Sequence, residues 1–114
     1  MSWKPLTLFR GTLDILILRT LRSHPLHGYD VSRRITELSD DAFQVGEGVL
    51  YPALRRLEER GWLRAEWDIT GTGREARFYE ITDVGREQLA HELQTWERYV
   101  EAMSQVLYPR EAEA

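Results

Sequence analysis

The middle of this 114-residue chain contains the pattern that most restricts its fold. Leu50, Leu54 and Leu57 recur with the i, i+4, i+7 spacing of one helix face, which predicts a helix whose apolar side is buried in a core. Gly61 follows as the left-handed residue that commonly ends a helix. Polar and apolar residues then alternate from residue 62 to residue 67, as they do in a strand with one buried face. The pattern therefore predicts a helix that leads directly into a strand.

Pro52 limits where this helix begins. A proline deep inside a helix removes a hydrogen bond and costs about 3 kcal/mol, whereas a proline near the start is tolerated. We therefore predict that the helix starts near residues 47–50, with Pro52 in its first turn or so. Tyr51, Arg55 and Arg56 then lie away from the leucine stripe, on a side that is available to a partner.

The composition excludes several classes of protein. A hydrophobic content of 42% and a charged content of 30% are typical of a globular domain. The absence of cysteine excludes disulfides, thiolate metal sites and cysteine nucleophiles. No apolar run approaches the roughly 20 residues that cross a bilayer, and the amino terminus does not resemble a signal peptide, so we expect a cytoplasmic protein without a membrane partner.

The polar residues do not suggest catalysis. The three histidines have no spacing typical of a metal site, no pairing of a nucleophile with a base stands out, and there is no glycine-rich phosphate loop. We predict that the protein is not an enzyme and uses no metal or cofactor. For His27 we predict a structural role, bonding a backbone carbonyl near a helix junction.

The formal net charge of −4 is unevenly distributed. Residues 82–114 hold seven acidic and three basic side chains, whereas residues 1–81 hold twelve of each. Because only the charges near a contact release counterions from DNA, a balanced domain with local basic residues remains compatible with nucleic-acid binding.

The remaining segments complete a recognisable order of elements. Residues 1–10 lack clean periodicity and predict an irregular arm or a short helix lying on the domain. A helix over residues 12–23 would be apolar on nearly every side, which predicts that it is buried. A second helix is expected over about residues 29–38. A loop at residues 70–73 and a return strand over residues 74–81 predict a two-stranded ribbon. Three helices followed by a ribbon predict a mostly α winged helix with a small β wing.

The last helix is predicted to begin at Thr82 and to carry a heptad seam. A helix of roughly 26 residues spans about 39 Å, too long for an 80-residue domain to cover, so we predict that the seam packs on a second chain. The chain then divides into a winged-helix domain with its arm, residues 1–81, and a dimerisation helix and tail, residues 82–114. The predicted seam residues are Leu89, Leu93, Trp96, Val100, Met103 and Leu107.

Several short blocks between Gly11 and Leu107 resemble one family when they are taken together, in order and correctly spaced. They are the Gly-Thr-Leu-Asp-Ile-Leu-Ile-Leu run of residues 11–18, the His-Gly-Tyr-Asp of residues 27–30, the Leu-Tyr-Pro-Ala-Leu start and Arg-Leu-Glu-Glu-Arg-Gly end of residues 50–61, and Gly73, Arg74, Tyr79, Thr82 and Gly85. In these blocks the chain resembles the PadR-like transcriptional regulators. Its single terminal helix is similar to that of their short subclass.

The resemblance implies a winged helix-turn-helix homodimer that binds a palindromic operator in double-stranded DNA, usually as a repressor. Val49 stands where the family commonly has Ser or Thr, which removes a hydroxyl able to meet a phosphate. Arg77 replaces a usual Lys, which keeps the charge and adds a planar fork.

The expected DNA contacts come from the helix after residue 46 and from the ribbon. The helix offers a phenol and guanidinium groups to phosphates or guanine edges, and the ribbon arginines reach the adjacent minor groove or backbone. The alternative for the helix is a solvated face on which Glu58 and Glu59 pair with its arginines; for the ribbon it is ordinary strand-edge charge. The predicted contacts are Tyr51, Pro52, Arg55, Arg56, Arg74 and Arg77.

Trp96 is unusual in a heptad seam, because a large aromatic residue packs poorly against its symmetry mate. The matching position in some family members lies at a dimer-interface cavity that takes flat aromatic molecules. We therefore consider two interpretations: a small aromatic ligand bound by Trp96 with Leu93 and Val100, or plain interface packing.

Two hypotheses of function follow. In the first, the protein is a sequence-specific, ligand-responsive DNA-binding repressor. In the second, it is a dimeric interaction module whose winged helix meets another protein, which the near-neutral domain and Val49 would allow.

Overall fold

The computed structural model describes residues 4–9 and 11–110 and has the predicted order of elements, with one added strand. The fold is mostly helical, and the predicted winged helix with a long last helix is confirmed. The elements are α1 (Thr12–Leu21), β1 (Leu26–His27), α2 (Gly28–Leu38), α3 (Glu47–Glu59), β2 (Leu63–Ile69), β3 (Glu75–Ile81) and α4 (Asp83–Leu107).

One hydrophobic core joins the three amino-terminal helices to the sheet and to the start of α4. The leucine stripe of α3 lies at its centre, with Leu50, Leu54 and Leu57 fully buried as predicted. Burying a side chain of this size stabilises the fold by about 1.5–3 kcal/mol, so the stripe fixes which side of α3 faces outward.

The two ends of α3 explain its position. Gly46 is extended and its carbonyl accepts from the amides of Val49 and Leu50, so the helix begins at Glu47, within the predicted range. Pro52 is consequently the sixth helical residue, in the second turn rather than the first.

The carboxyl end of α3 closes with Gly61 at φ 79°, as the sequence predicts. The amide of Gly61 donates to the carbonyl of Glu58 at 2.9 Å, and that of Trp62 donates to Leu57 at 3.0 Å. These two bonds form a Schellman closure, which turns the chain straight into β2.

The sheet has three strands, not the two that the sequence predicts. β1 pairs antiparallel with β3, with Leu26 opposite Tyr79 and His27 opposite Phe78, in the order β1-β3-β2. Two residues are too few to show the alternation that identifies a strand, so the sequence predicts only a tight link there.

The start of α4 is fixed to the domain by close backbone contacts. Thr82 caps the helix by accepting from the amide of Gly85 at 3.0 Å, and its hydroxyl donates to the carbonyl of Gly61 at 2.7 Å. A Cβ on Gly85 would lie 2.2 Å from the carbonyl oxygen of Trp62, so only glycine permits this approach. The first turns of α4 are thus part of the domain core.

The rest of α4 is uncovered. Leu93 is half-buried, and every residue from 94 to 110 is exposed. Within the described residues of the arm, residues 4–9 form no helix, and the amide of Leu6 donates to the carbonyl of Ala42 at 2.8 Å. The remainder of the predicted arm lies outside the described residues.

Candidate nucleic-acid interface and apolar groove

The exposed side of α3 carries the residues that the sequence predicts there. A shallow depression of about 260 Å³ runs along it, on the side away from the leucine stripe. It is lined by Tyr51, Pro52, Arg55, Arg56 and Glu59.

A second depression, of about 650 Å³, lies between the start of α2 and the β2–β3 hairpin. We call it the wing groove. Its lining includes Arg74 and Arg77 from the hairpin and also Tyr51, which borders the α3 depression as well. The structure therefore brings all six predicted DNA contacts onto one continuous surface.

The four arginines of this surface differ in their ionic contacts. Arg56 donates to the carboxylate of Asp14 in α1, and Arg77 donates to Glu58 at 2.7 Å. Within residues 4–9 and 11–110, Arg55 and Arg74 have no carboxylate within 4 Å.

These ion pairs differ from the alternative drawn from the sequence, in which Glu58 and Glu59 pair with Arg55 and Arg56. Glu58 instead binds the wing, and the partner of Arg56 is 42 residues away in the chain. Asp14 is only 16% exposed and also lies 3.7 Å from Arg60, so it joins α1 to two turns of α3. No spacing in the sequence signals such a contact.

Tyr51 is held against the start of α2. A Cβ on Gly28 would lie 2.7 Å from Cε1 of Tyr51 and 3.2 Å from its hydroxyl, so the ring occupies the space left by the missing side chain. Its hydroxyl therefore lies against the start of α2, and the residue lines the wing groove.

His27 has a structural position, as predicted, with different partners. Its Nδ1 accepts from the amide of Asp30 at 3.4 Å and so caps α2, and its ring meets Phe78 edge to face at 5.4 Å. The predicted bond to a carbonyl is replaced by these contacts. Nε2 lies 3.2 Å from the carboxylate of Asp30.

Tyr79 forms part of the floor of the wing groove and is itself almost fully buried. Burial raises the pKa of its phenol, and the nearby guanidinium of Arg77, 6.0 Å from the ring centre, opposes the shift. The phenol consequently stays neutral and contributes packing rather than charge.

The predicted α4 seam divides into two parts. Leu89 is 1% exposed because it packs in the domain core, so it offers no surface to a second chain. The other five predicted residues begin at half-buried Leu93, and the four beyond it are exposed, from 39% for Trp96 to 58% for Leu107. A further apolar line, Tyr99 and Val106, is also exposed.

An apolar groove of about 520 Å³ lies beside this helix. Of the three residues predicted to bind a ligand, Leu93 and Trp96 line this groove and Val100 does not. Sequence reasoning did not find the opposite wall, because the arm has no periodicity and α1 looked buried throughout. That wall includes Leu6, Leu8, Phe9, Ile15, Leu16 and Phe43.

Within the part of the chain that the structure describes, no three His, Asp or Glu side chains are grouped so that they would hold a metal ion. None of the described helices has the length and apolar character needed to cross a membrane.

The fold, with an exposed side of its third helix that carries Arg55 and Arg56, defines the class of winged helix-turn-helix proteins. The sequence pattern of the transcriptional regulator PadR-like family matches residues 17–91, and the chain belongs to this family. The predicted resemblance is thereby confirmed, as is the expectation of a transcriptional regulator rather than an enzyme.

Two relatives of described function are similar to the chain. The negative transcriptional regulator PadR of Bacillus subtilis is 31% identical over 77 residues, which are 68% of this chain and 42% of that protein. A transcriptional regulator of Mycobacterium tuberculosis is 34% identical over 83 residues, 73% of this chain and 74% of that one.

Solved structures of regulators in this family are also similar to the chain. A PadR family regulator from Eggerthella lenta superposes with a TM-score of 0.74 at 33% identity, covering 89% of this chain and 86% of that chain. The structure of Bacillus subtilis PadR in complex with operator DNA superposes with a TM-score of 0.65 at 30% identity, covering 72% and 46%.

Proposed function

We propose that this protein is a cytoplasmic repressor that binds a two-fold symmetric operator as a homodimer. One observation carries the proposal: Arg55 and Arg74 lie on one continuous surface without a carboxylate partner among the described residues. Guanidinium groups that are not already paired bind phosphates or guanine edges without first breaking an ion pair. The similarity to a regulator whose structure contains operator DNA supports the same conclusion.

We propose different roles for the residues of this surface. Arg55 projects from α3, which enters the major groove, and Arg74 reaches the backbone or minor groove beside it. Pro52 supplies an apolar contact on the same face. Arg56 and Arg77 reach DNA only after releasing Asp14 and Glu58, so we place them second.

The homodimer forms through the exposed part of α4. Four side chains of the seam, Trp96, Val100, Met103 and Leu107, are exposed in the single chain, and a second copy supplies the apolar cover that they lack. A two-fold dimer presents two equal α3 helices, which suits a palindromic operator with half-sites about one helical turn, roughly 10 bp, apart.

The apolar groove beside α4 is the proposed site for a small aromatic ligand. Its lining is almost entirely apolar, and Trp96 supplies a flat face for stacking. Because the groove adjoins the seam, a ligand changes the packing of α4 and hence the distance between the two α3 helices. The ligand weakens DNA binding only to the extent that it binds more tightly to the dimer arrangement that does not bind DNA than to the arrangement that does.

A gel shift with the DNA upstream of the protein's own gene tests the main proposal. The parent should bind, with an affinity that falls steeply as salt increases. Arg55→Ala should bind more weakly, while Arg98→Ala, which removes the same charge from an exposed position on the face of α4 opposite the seam, should not. If the folded parent binds neither this DNA nor unrelated duplexes, the protein is instead a dimeric interaction module.

A further inference from the structure

The first turn of α3 exposes an apolar side chain that the core does not use. Val49 is 60% exposed, although the next residue, Leu50, is almost fully buried. Val49 precedes Pro52 by three residues and Arg56 by seven, so these three residues lie along one line of the helix. Pro52 and Arg56 both line the α3 depression. Val49 therefore extends that surface toward the start of the helix.

The neighbouring Gly48 lies on the exposed side of α3, at a position where the fold does not require a glycine. It precedes Pro52 by four residues and Arg55 by seven. Its φ is not positive, and a Cβ there would have open space among the described residues. Glycine inside a helix is less favourable than alanine, because it loses more conformational freedom on folding. The missing side chain therefore suits the close approach of a partner to the helix backbone.

The position of Val49 suits contact with base edges rather than with phosphates. In helix-turn-helix proteins the amino-terminal residues of the reading helix contact base edges in the major groove. Val49 has no polar group that could bind a phosphate. Glu47, the other exposed side chain of the first turn, lies about 200° away around the helix axis, so its carboxylate does not accompany Val49.

The apolar chemistry of Val49 selects one base. In the major groove only thymine presents a methyl group, and valine can pack against it. The other bases present donors and acceptors there, and an apolar side chain covers these without replacing their hydrogen bonds to water. A serine or threonine hydroxyl would accept several bases at this position. The valine therefore narrows the choice of base, and it is not an argument against DNA binding.

We propose that Val49 reads one thymine in each half of the operator, with its methyl groups packed on the 5-methyl group of the base, and that Gly48 allows α3 to approach closely enough for this contact. This inference rests on the proposed function. Val49 is then a specificity-determining residue, and Gly48 is a positioning residue. Arg55 binds the same DNA through charge, whereas Val49 contributes only where a methyl group is present.

Operators in which deoxyuridine replaces thymine test the methyl contact directly, because the replacement removes the 5-methyl group and keeps the base pair. Each thymine of the operator is replaced in turn, together with its symmetry mate. At one position in each half-site the parent should lose about ten-fold in affinity. Each of the two buried methyl groups contributes a factor of about three to four.

Val49→Ser should no longer distinguish thymine from deoxyuridine at that position, because its side chain carries no methyl group. Its affinity for an unrelated duplex of equal length should match that of the parent, since specific base contacts are not made there. Val84→Ser is the matched control: it makes the same change at a valine that is 55% exposed in the first turn of α4. This variant should keep the parent's full dependence on the methyl group.

Gly48→Ala tests the close approach of the helix backbone. The added methyl group should weaken operator binding by about ten-fold and reduce the effect of deoxyuridine, because it holds Val49 away from the base. Chemical denaturation should find this variant at least as stable as the parent, so the loss cannot be attributed to unfolding. Operator binding at the parent's affinity would contradict the role of Gly48.

The assignment of Val49 is wrong if no thymine shows the loss in the parent, or if the loss is the same in Val49→Ser. Either outcome leaves the proposed function intact, because operator binding by the parent and its weakening in Arg55→Ala report on that function separately.

Discussion

The exposed side of α3 and the exposed half of α4 are both uncovered helix surfaces, yet they have opposite chemistry. α3 presents Tyr51 and Arg55, whereas α4 presents apolar side chains such as Val100 and Met103. A polar cationic surface suits a phosphate partner, whose binding depends on salt. An apolar stripe suits a protein partner, whose binding depends on concentration. The two proposed interfaces of this chain should therefore respond to different conditions.

The charge distribution sharpens this difference. The excess of acidic residues lies entirely in residues 82–114, while residues 1–81 are balanced. Phosphates are repelled by the acidic segment, so the charge pattern favours the proposed binding of DNA at α3 and the wing over binding at α4.

The largest expected effect comes from placing charged residues in the apolar seam of α4. Leu93→Asp combined with Val100→Asp should abolish the dimer, because burying two unpaired carboxylates costs several kcal/mol. Light scattering should then find monomer or unfolded chain. Gln94→Asp combined with Gln105→Asp adds the same charge on the face of α4 opposite the seam and should remain dimeric. A stable folded monomer from the unmutated chain would contradict the interface.

The next effect concerns the point where α4 joins the domain. Gly85→Ala places a Cβ against the carbonyl of Trp62, so the helix must shift, and we expect a loss of about 1–3 kcal/mol in the free energy of unfolding. Chemical denaturation measures this loss. Gly48→Ala is the matched control, since a Cβ there has open space, and it should leave stability nearly unchanged or raise it.

Two adjacent arginines test the polar surface that α3 exposes. Arg55→Ala should weaken operator binding by about 1–3 kcal/mol with little change in thermal stability. Arg56→Ala should affect DNA less and should lower stability by at most about 1 kcal/mol, because it loses a partly exposed ion pair with Asp14. Equal losses of DNA affinity in the two variants would show that the ion pair does not restrain Arg56.

The smallest expected effect is that of a ligand bound beside α4 on operator binding at α3. Flat aromatic compounds should quench tryptophan fluorescence in the parent and weaken operator binding by no more than about 1–3 kcal/mol. Trp96→Ala should lose both responses, while Trp67→Phe should keep ligand quenching. Quenching that persists unchanged in Trp96→Ala would assign Trp96 to interface packing alone.

The sequence predicts elements well where local rules act alone. The leucine stripe and Gly61 determine α3, and the cap and heptad spacing determine α4. Contacts between distant segments escape such rules, as Asp14 with Arg56 illustrates. Leu89 shows a different limit: the spacing that predicts an interface is the same spacing that buries a residue in its own domain, and only the tertiary fold distinguishes the two.

The bond from Thr82 to the carbonyl of Gly61 has a mechanical consequence. It ties the end of α3 to the start of α4, whose first turns pack in the core, so the domain and the 25-residue helix turn together about this pivot and the helix forms an arm about 37 Å long. A rotation of a few degrees at this pivot displaces the free end of the arm by about 2–3 Å. Conversely, a shift of a side chain's width near that free end turns the α3 helix by only a small angle. The geometry therefore predicts that a large rearrangement at the proposed seam produces only a small adjustment of α3.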